Sequence, residues 1–195
     1  MIASLLIFLI ILTVLIFAGR VAREQFNVPP AVVFDPTFTS SGCVCAFDLD
    51  GTITCGIGRA AAAVSKCKEL GCRIAINTAR PTKWYDDLDL HGLGLTKDDF
   101  DSDTGMGSDF YFGEPFNCSF ADDKCMEDSI ANTKVRHLHT LSSKWRVSPS
   151  RVILFDDLYS NTERAKESGF SAVLANNYLG GLPNNVVELI SDILH

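Results

Sequence analysis

From residue 43 onward, short apolar runs alternate with longer segments whose apolar residues recur every three or four positions. Cys43-Val-Cys-Ala-Phe47 and Val152-Ile-Leu-Phe155 contain no polar residue, and Arg73-Ile-Ala-Ile-Asn77 and Ser171-Ala-Val-Leu174 are apolar between their ends. Runs this short, without a polar face, predict strands covered on both sides. Between them, residues 59–70 are rich in alanine, place Val64, Cys67 and Leu70 at helical spacing, and meet Gly71 as a stop. Residues 129–145 gather Ile130, Leu138, Leu141 and Trp145 on one helical face, residues 162–168 form a short helix stopped by Gly169, and residues 186–194 form a closing helix. Strands that alternate with helices predict an α/β domain, a Rossmannoid parallel sheet with helices on both faces.

Two stretches break the alternation. Residues 1–19 are uncharged and dominated by Leu, Ile, Phe and Val. As a helix they reach roughly 28 Å, enough to span a thin bilayer. No basic residue precedes the run, while Arg20 and Arg23 follow it. This favours an uncleaved transmembrane helix over a signal peptide, and the positive-inside rule places the following domain on the cytosolic side. Residues 20–42, with Pro29-Pro30, Pro36 and Ser40-Ser41-Gly42, form an extended linker, so the catalytic domain is expected at 43–195. Within it, residues 81–129 are strongly acidic and weakly periodic, which suits an acidic loop or a small cap insert. The aromatics Phe110-Tyr111-Phe112 predict a short hairpin or lid there.

Charge and cysteine usage narrow the options. The net charge is −7, and once residues 1–23 are set aside 15 basic residues face 24 acidic ones, a balance of −9. Such a domain repels a polyanion, so nucleic acid is not the expected partner. Seven cysteines are an odd number, and Cys43, Cys45, Cys67 and Cys72 fall in apolar settings. Buried free thiols in a reducing compartment are the simplest expectation. Zinc held by Cys118, Cys125, His137 and His139 is the alternative, although their spacing matches no common zinc pattern. Asn117-Cys118-Ser119 is formally a glycosylation acceptor, of consequence only in a lumenal domain.

The strongest chemical signal lies at the first strand tip, where the run ending at Phe47 meets Asp48-Leu-Asp50-Gly51-Thr52. Carboxylates two residues apart leave an extended strand on the same side. Charges so close need a cation or a shared proton. As isolated residues they could equally be turn formers and caps. The strand over residues 152–155 also ends in paired acids, Asp156-Asp157. Oxygen donors of this kind suit Mg2+.

With these residues in place the chain resembles the haloacid dehalogenase superfamily of phosphohydrolases, whose first motif is hhhDxDGT. The resemblance covers roughly residues 43–176. It implies that Asp48 is the nucleophile and Asp50 the general acid and base; an acid at the second position points to phosphatase work. It implies that Thr78, closing the second strand, binds phosphate. Arg80, two residues on, is expected to add a charged phosphate contact. Lys134, expected near the head of its helix, is the third-motif lysine in competition with Lys124 and Lys144. Asp156 and Asp157 are implied as metal ligands beside Asp48 and Asp50, with Asn161 a further polar contact. About twenty residues separate the Asp pair from the second strand, which leaves no room for a large cap there. The implied function is a Mg2+-dependent phosphatase acting through an aspartyl-phosphate on a phosphorylated substrate, a phosphoprotein or other large molecule. A small-molecule phosphatase and a catalytically silent, membrane-tethered binding module are the alternatives. The sequence is silent on oligomeric state.

Overall fold

The computed structural model describes residues 42–79, 91–94, 110–111, 118 and 122–195, all within one compact unit, Thr37–His195. The expected membrane span, nearly all of the linker, Arg80 and much of the acidic insert lie outside the described residues. Among the described residues, no helix is long and apolar enough to cross a membrane.

Five strands, β1 (Val44–Phe47), β2 (Arg73–Asn77), β3 (Phe110–Tyr111), β4 (Val152–Asp156) and β5 (Ser171–Leu174), form one sheet in the order β3-β2-β1-β4-β5. Every pairing is parallel. The helices are α1 (Ile57–Glu69), α2 (Asp123–Trp145), α3 (Tyr159–Glu167) and α4 (Val186–Leu194). The expected α/β architecture is therefore the observed one.

Alternation along the strands divides the core in two. Cys45, Phe47, Ile74, Ile76, Ile153, Phe155 and Val173 pack with Ala60, Ala63, Val64 and Cys67 of α1 and Val186, Ile190 and Leu194 of α4. Val44, Ala46, Ala75, Val152 and Leu154 pack on the opposite face with Leu138 and Leu141 of α2 and Ala165 of α3. Phe47 lies in register with Phe155, and their rings stack at 4.4 Å and 7°. Both faces of the two central strands are thus filled, the reason their sequences show no polar alternation. That filling fixes the strand tips, and with them the residues that follow.

Several expectations are corrected. Phe110 and Tyr111 form neither hairpin nor lid but a parallel edge strand, with Ile76 opposite Phe110. The insert thus contributes to the core sheet, a long-range pairing that local pattern does not reveal. α1 begins at Ile57 and α3 at Tyr159, slightly before the apolar spacing starts. α2 begins at Asp123, because the Asp122 carboxylate caps it by accepting from the Cys125 N–H at 3.0 Å. Its first turns carry no apolar stripe, so periodicity alone starts the helix too late.

The cysteine expectation is overturned. Cys43 pairs with Cys72, Cys45 with Cys67 and Cys118 with Cys125, leaving Cys55 as a free, exposed thiol among the described residues. Register and helix packing bring the first two pairs together: Cys72 leads into β2 beside the start of β1, while Cys67 lies on the α1 face that covers Cys45. The zinc alternative falls with them, since two of its four ligands are joined to each other. The Cys43–Cys72 bridge closes 29 residues, worth about 3.6 kcal/mol in chain entropy. The Cys45–Cys67 bridge is nested inside it and adds less.

Candidate active site

Parallel register builds the site. Because Phe47 aligns with both Ile76 and Phe155, the next residues, Asp48, Asn77 and Asp156, come level at the carboxyl ends of three adjacent strands. The Asp48 N–H continues the ladder to the Phe155 carbonyl at 2.8 Å. Beyond Asp48 the chain makes one wide turn, Leu49–Ile53, with Gly51 at φ 68 and the Thr54 N–H bonded to the Leu49 carbonyl at 3.0 Å. A positive φ at this position favours glycine, which explains the Asp-Gly order. Ligands of open parallel sheets bind beyond such strand ends.

Asp48, Asp156 and Lys134 are all buried, at 5%, 0% and 2% exposure. The Lys134 Nζ lies 2.7 Å from Asp48 Oδ1 and 2.5 Å from Asp156 Oδ2. The lysine stands in the middle of α2 rather than at its head, so its long side chain reaches the sheet end laterally. The other oxygen of Asp156, Oδ1, accepts from the Leu158 N–H at 3.0 Å and from Asn161 Nδ2 at 2.8 Å. Carboxylate oxygens of Asp48, Asp156 and Asp157 lie within 4.8 Å of one another.

One ammonium cannot neutralise two carboxylates. Burial pushes the Asp48 carboxyl from its ordinary 3.8 up to about 7, with Lys134 pulling it down and Asp156 pushing it up. Burial would also lower Lys134, but Asp48 and Asp156 outweigh it and hold the lysine above its ordinary range. The two shifts describe one situation: Lys134 stays charged between the acids, and the excess negative charge falls on Asp48. Either a proton or a second cation must meet it. The donor set fits a hard divalent ion. Asp48, Asp156 and Asp157 offer oxygen, and Asn161, whose Nδ2 donates to Asp156, has a buried Oδ1 without a hydrogen-bond partner among the described residues. Oxygen donors of this kind suit a hard divalent cation.

The remaining candidates are distributed unevenly. Thr78 is buried directly after β2, at the level of the turn that follows Asp48. Asp50 sits exposed on that turn and does not enter the three-carboxylate group. Arg80 lies outside the described residues. Asn161 joins the site through Asp156. Of the competing lysines, Lys144 lies over the Trp145 ring at 4.4 Å, and Lys124 belongs to the first turn of α2. Neither belongs to the acid pair that holds Lys134.

Two residues that the sequence did not assign to this site join it, one of them, His137, expected only as a zinc ligand. Asn77 and His137 are buried beside Lys134. The Lys134 Nζ donates to the Asn77 carbonyl at 3.1 Å, Asn77 Nδ2 donates to the Lys134 carbonyl at 3.1 Å, and His137 Nδ1 lies 3.0 Å from Asn77 Oδ1. The only hint in the sequence was a polar residue ending an apolar strand.

Comparison with known proteins adds little beyond this geometry. The chain matches no protein-family profile and no curated protein. Among solved structures it is similar to the core domain of a candidate phosphoglycolate phosphatase from Streptococcus pneumoniae TIGR4, determined by NMR. The identity is 18% and the TM-score 0.46, over 78% of this chain and 94% of that one.

Proposed function

We propose that this protein is a Mg2+-dependent phosphomonoesterase that works through an aspartyl-phosphate. The observation that carries the reading is the buried arrangement of Asp48, Asp156 and Lys134 at adjacent strand ends, with Asp157 completing the acidic group. Asp48 attacks phosphorus in line; the bond to the leaving oxygen breaks as the new Asp48–phosphorus bond forms, and Asp50 gives that oxygen a proton. Asp50, exposed on its turn, then removes a proton from water as the water attacks the phosphoryl group, releasing phosphate and the Asp48 carboxylate. Lys134 supplies fixed positive charge beside the attacking oxygen, and Thr78 supplies a hydroxyl at the neighbouring strand end. Mg2+, held by Asp48, Asp156 and Asp157, would counter the charge of the transferred group when bound.

The leaving group would extend past Leu158 and Tyr159, which follow the β4 acids and are 43% and 67% exposed. An open, partly apolar rim suits a large substrate such as a phosphoprotein. The test is Mg2+-dependent release of phosphate from an aryl phosphate, then from phosphopeptides, sugar phosphates and nucleotides. No turnover of any of them with Mg2+ would leave the silent binding module.

For location, the disulfides support a reading opposite to the cytosolic side expected from the arginines. Six paired cysteines belong in an oxidising compartment, and they weigh more than the two arginines after residue 19. We infer a domain on the lumenal or extracellular side of a membrane, with residues 1–19 as its anchor or leader. In native protein, six of the seven cysteines should then resist alkylation until reduced, and protease should spare the domain in sealed vesicles whose cytosolic face is outward. Seven alkylated thiols, or cleavage from the cytosolic side, would rule this location out.

A further inference from the structure

Lys134 leaves the middle of a 23-residue helix whose first turns carry no apolar stripe. Hydrophobic packing alone therefore sets its height along the sheet loosely, and a helix that slides by one residue moves 1.5 Å. The contacts at the end of β2 supply what packing lacks. Asn77 and Lys134 make a reciprocal pair, backbone carbonyl to Nζ and side-chain amide to backbone carbonyl, each at 3.1 Å. A mid-helix carbonyl already accepts the N–H four residues on, so the Asn77 bond is an extra, lateral tie between strand and helix.

The chemistry of the partners fixes every donor. The Lys134 carbonyl only accepts, so the Asn77 amide must turn its NH2 toward it and its oxygen toward His137. The Asn77 oxygen also only accepts, so His137 Nδ1 must carry the hydrogen. His137 lies three residues after Lys134, on the same helix face, and is 6% exposed. Asn77 thus touches α2 at the lysine ammonium, the lysine carbonyl and the imidazole.

We propose that Asn77 and His137 are positioning residues, a brace that sets Lys134 between Asp48 and Asp156. This rests on the phosphatase reading for its kinetic consequence but not for its geometry. Asparagine places its amide nitrogen where histidine places Nδ1, so His137→Asn preserves the brace and His137→Leu removes it.

The experiment has two arms. Kinetics on an aryl phosphate with saturating Mg2+, well below the melting temperature and scaled to folded protein, should show kcat lower by about 100-fold in Asn77→Leu and about tenfold in His137→Leu. KM should move far less, and His137→Asn should recover most of the loss. The second arm reads the His137 ring by nitrogen NMR in the metal-free wild type and should find the hydrogen on Nδ1. Equal losses in His137→Asn and His137→Leu, or an Asn77→Leu kcat within about twofold of wild type, would overturn the brace, as would an imidazole protonated only at Nε2. If wild-type protein turns over no phosphate ester while the hydrogen is on Nδ1, the phosphatase reading fails and the brace stands as a structural element.

Discussion

Asp48→Asn should abolish phosphate release, lowering kcat by at least about 10⁴-fold, as loss of a covalent nucleophile does. The amide keeps the shape of the carboxylate but cannot form the phosphoryl bond. The same substitution has a second, opposite effect in metal-free protein. Because the folded-state pKa of Asp48 is raised from 3.8 to about 7, folding favours its protonated form. Its contribution is therefore fully present below 3.8 and is lost as pH rises through about 7. With EDTA present, the wild type should lose melting temperature across that window more steeply than Asp48→Asn, and the variant should be the more stable protein above pH 7. Adding Mg2+ should stabilise the wild type increasingly as pH rises, and the variant far less. Parallel pH profiles for the two proteins in EDTA would show that Asp48 carries no excess buried charge, and residual turnover within tenfold of wild type would remove it as nucleophile.

Lys134→Met should have the largest effect on stability. Methionine fills much of the same volume but leaves Asp48 and Asp156 buried without their cation. Breaking a buried ionic group from one side costs about 3 to 5 kcal/mol, which in a domain of this size lowers Tm on the order of 10 °C. Since the missing charge is electrostatic rather than steric, Mg2+ should restore part of the lost stability. It should not restore activity, because the charge beside the attacking oxygen is absent; kcat should stay about 100-fold or more below wild type. Thermal unfolding in EDTA and in Mg2+ checks both statements. A variant as stable as wild type in EDTA would mean that the lysine does not hold the acids together. Full activity in Mg2+ would remove it from the chemistry.

The sequence by itself determined the central strands, their parallel arrangement, and the acids at their tips. Val44–Phe47 and Val152–Asp156 are buried on both faces, and such strands leave an uninterrupted apolar run that ends abruptly at its first functional residue. Asp48 and Asp156 were legible for the same reason: a carboxylate at the end of an apolar strand contradicts its surroundings. Lys134 was found by resemblance, but its place in mid-helix was not, because a polar N-terminal half with an Asp122 cap shows no period. Only the tertiary structure paired the cysteines and showed Phe110–Tyr111 to be an edge strand. It also joined Asn77 to His137, sixty residues away. Periodicity reports the face a residue presents, whereas disulfides, edge pairing and buried hydrogen bonds depend on which distant residue arrives opposite it. That is set by strand register and helix height, which no local pattern contains.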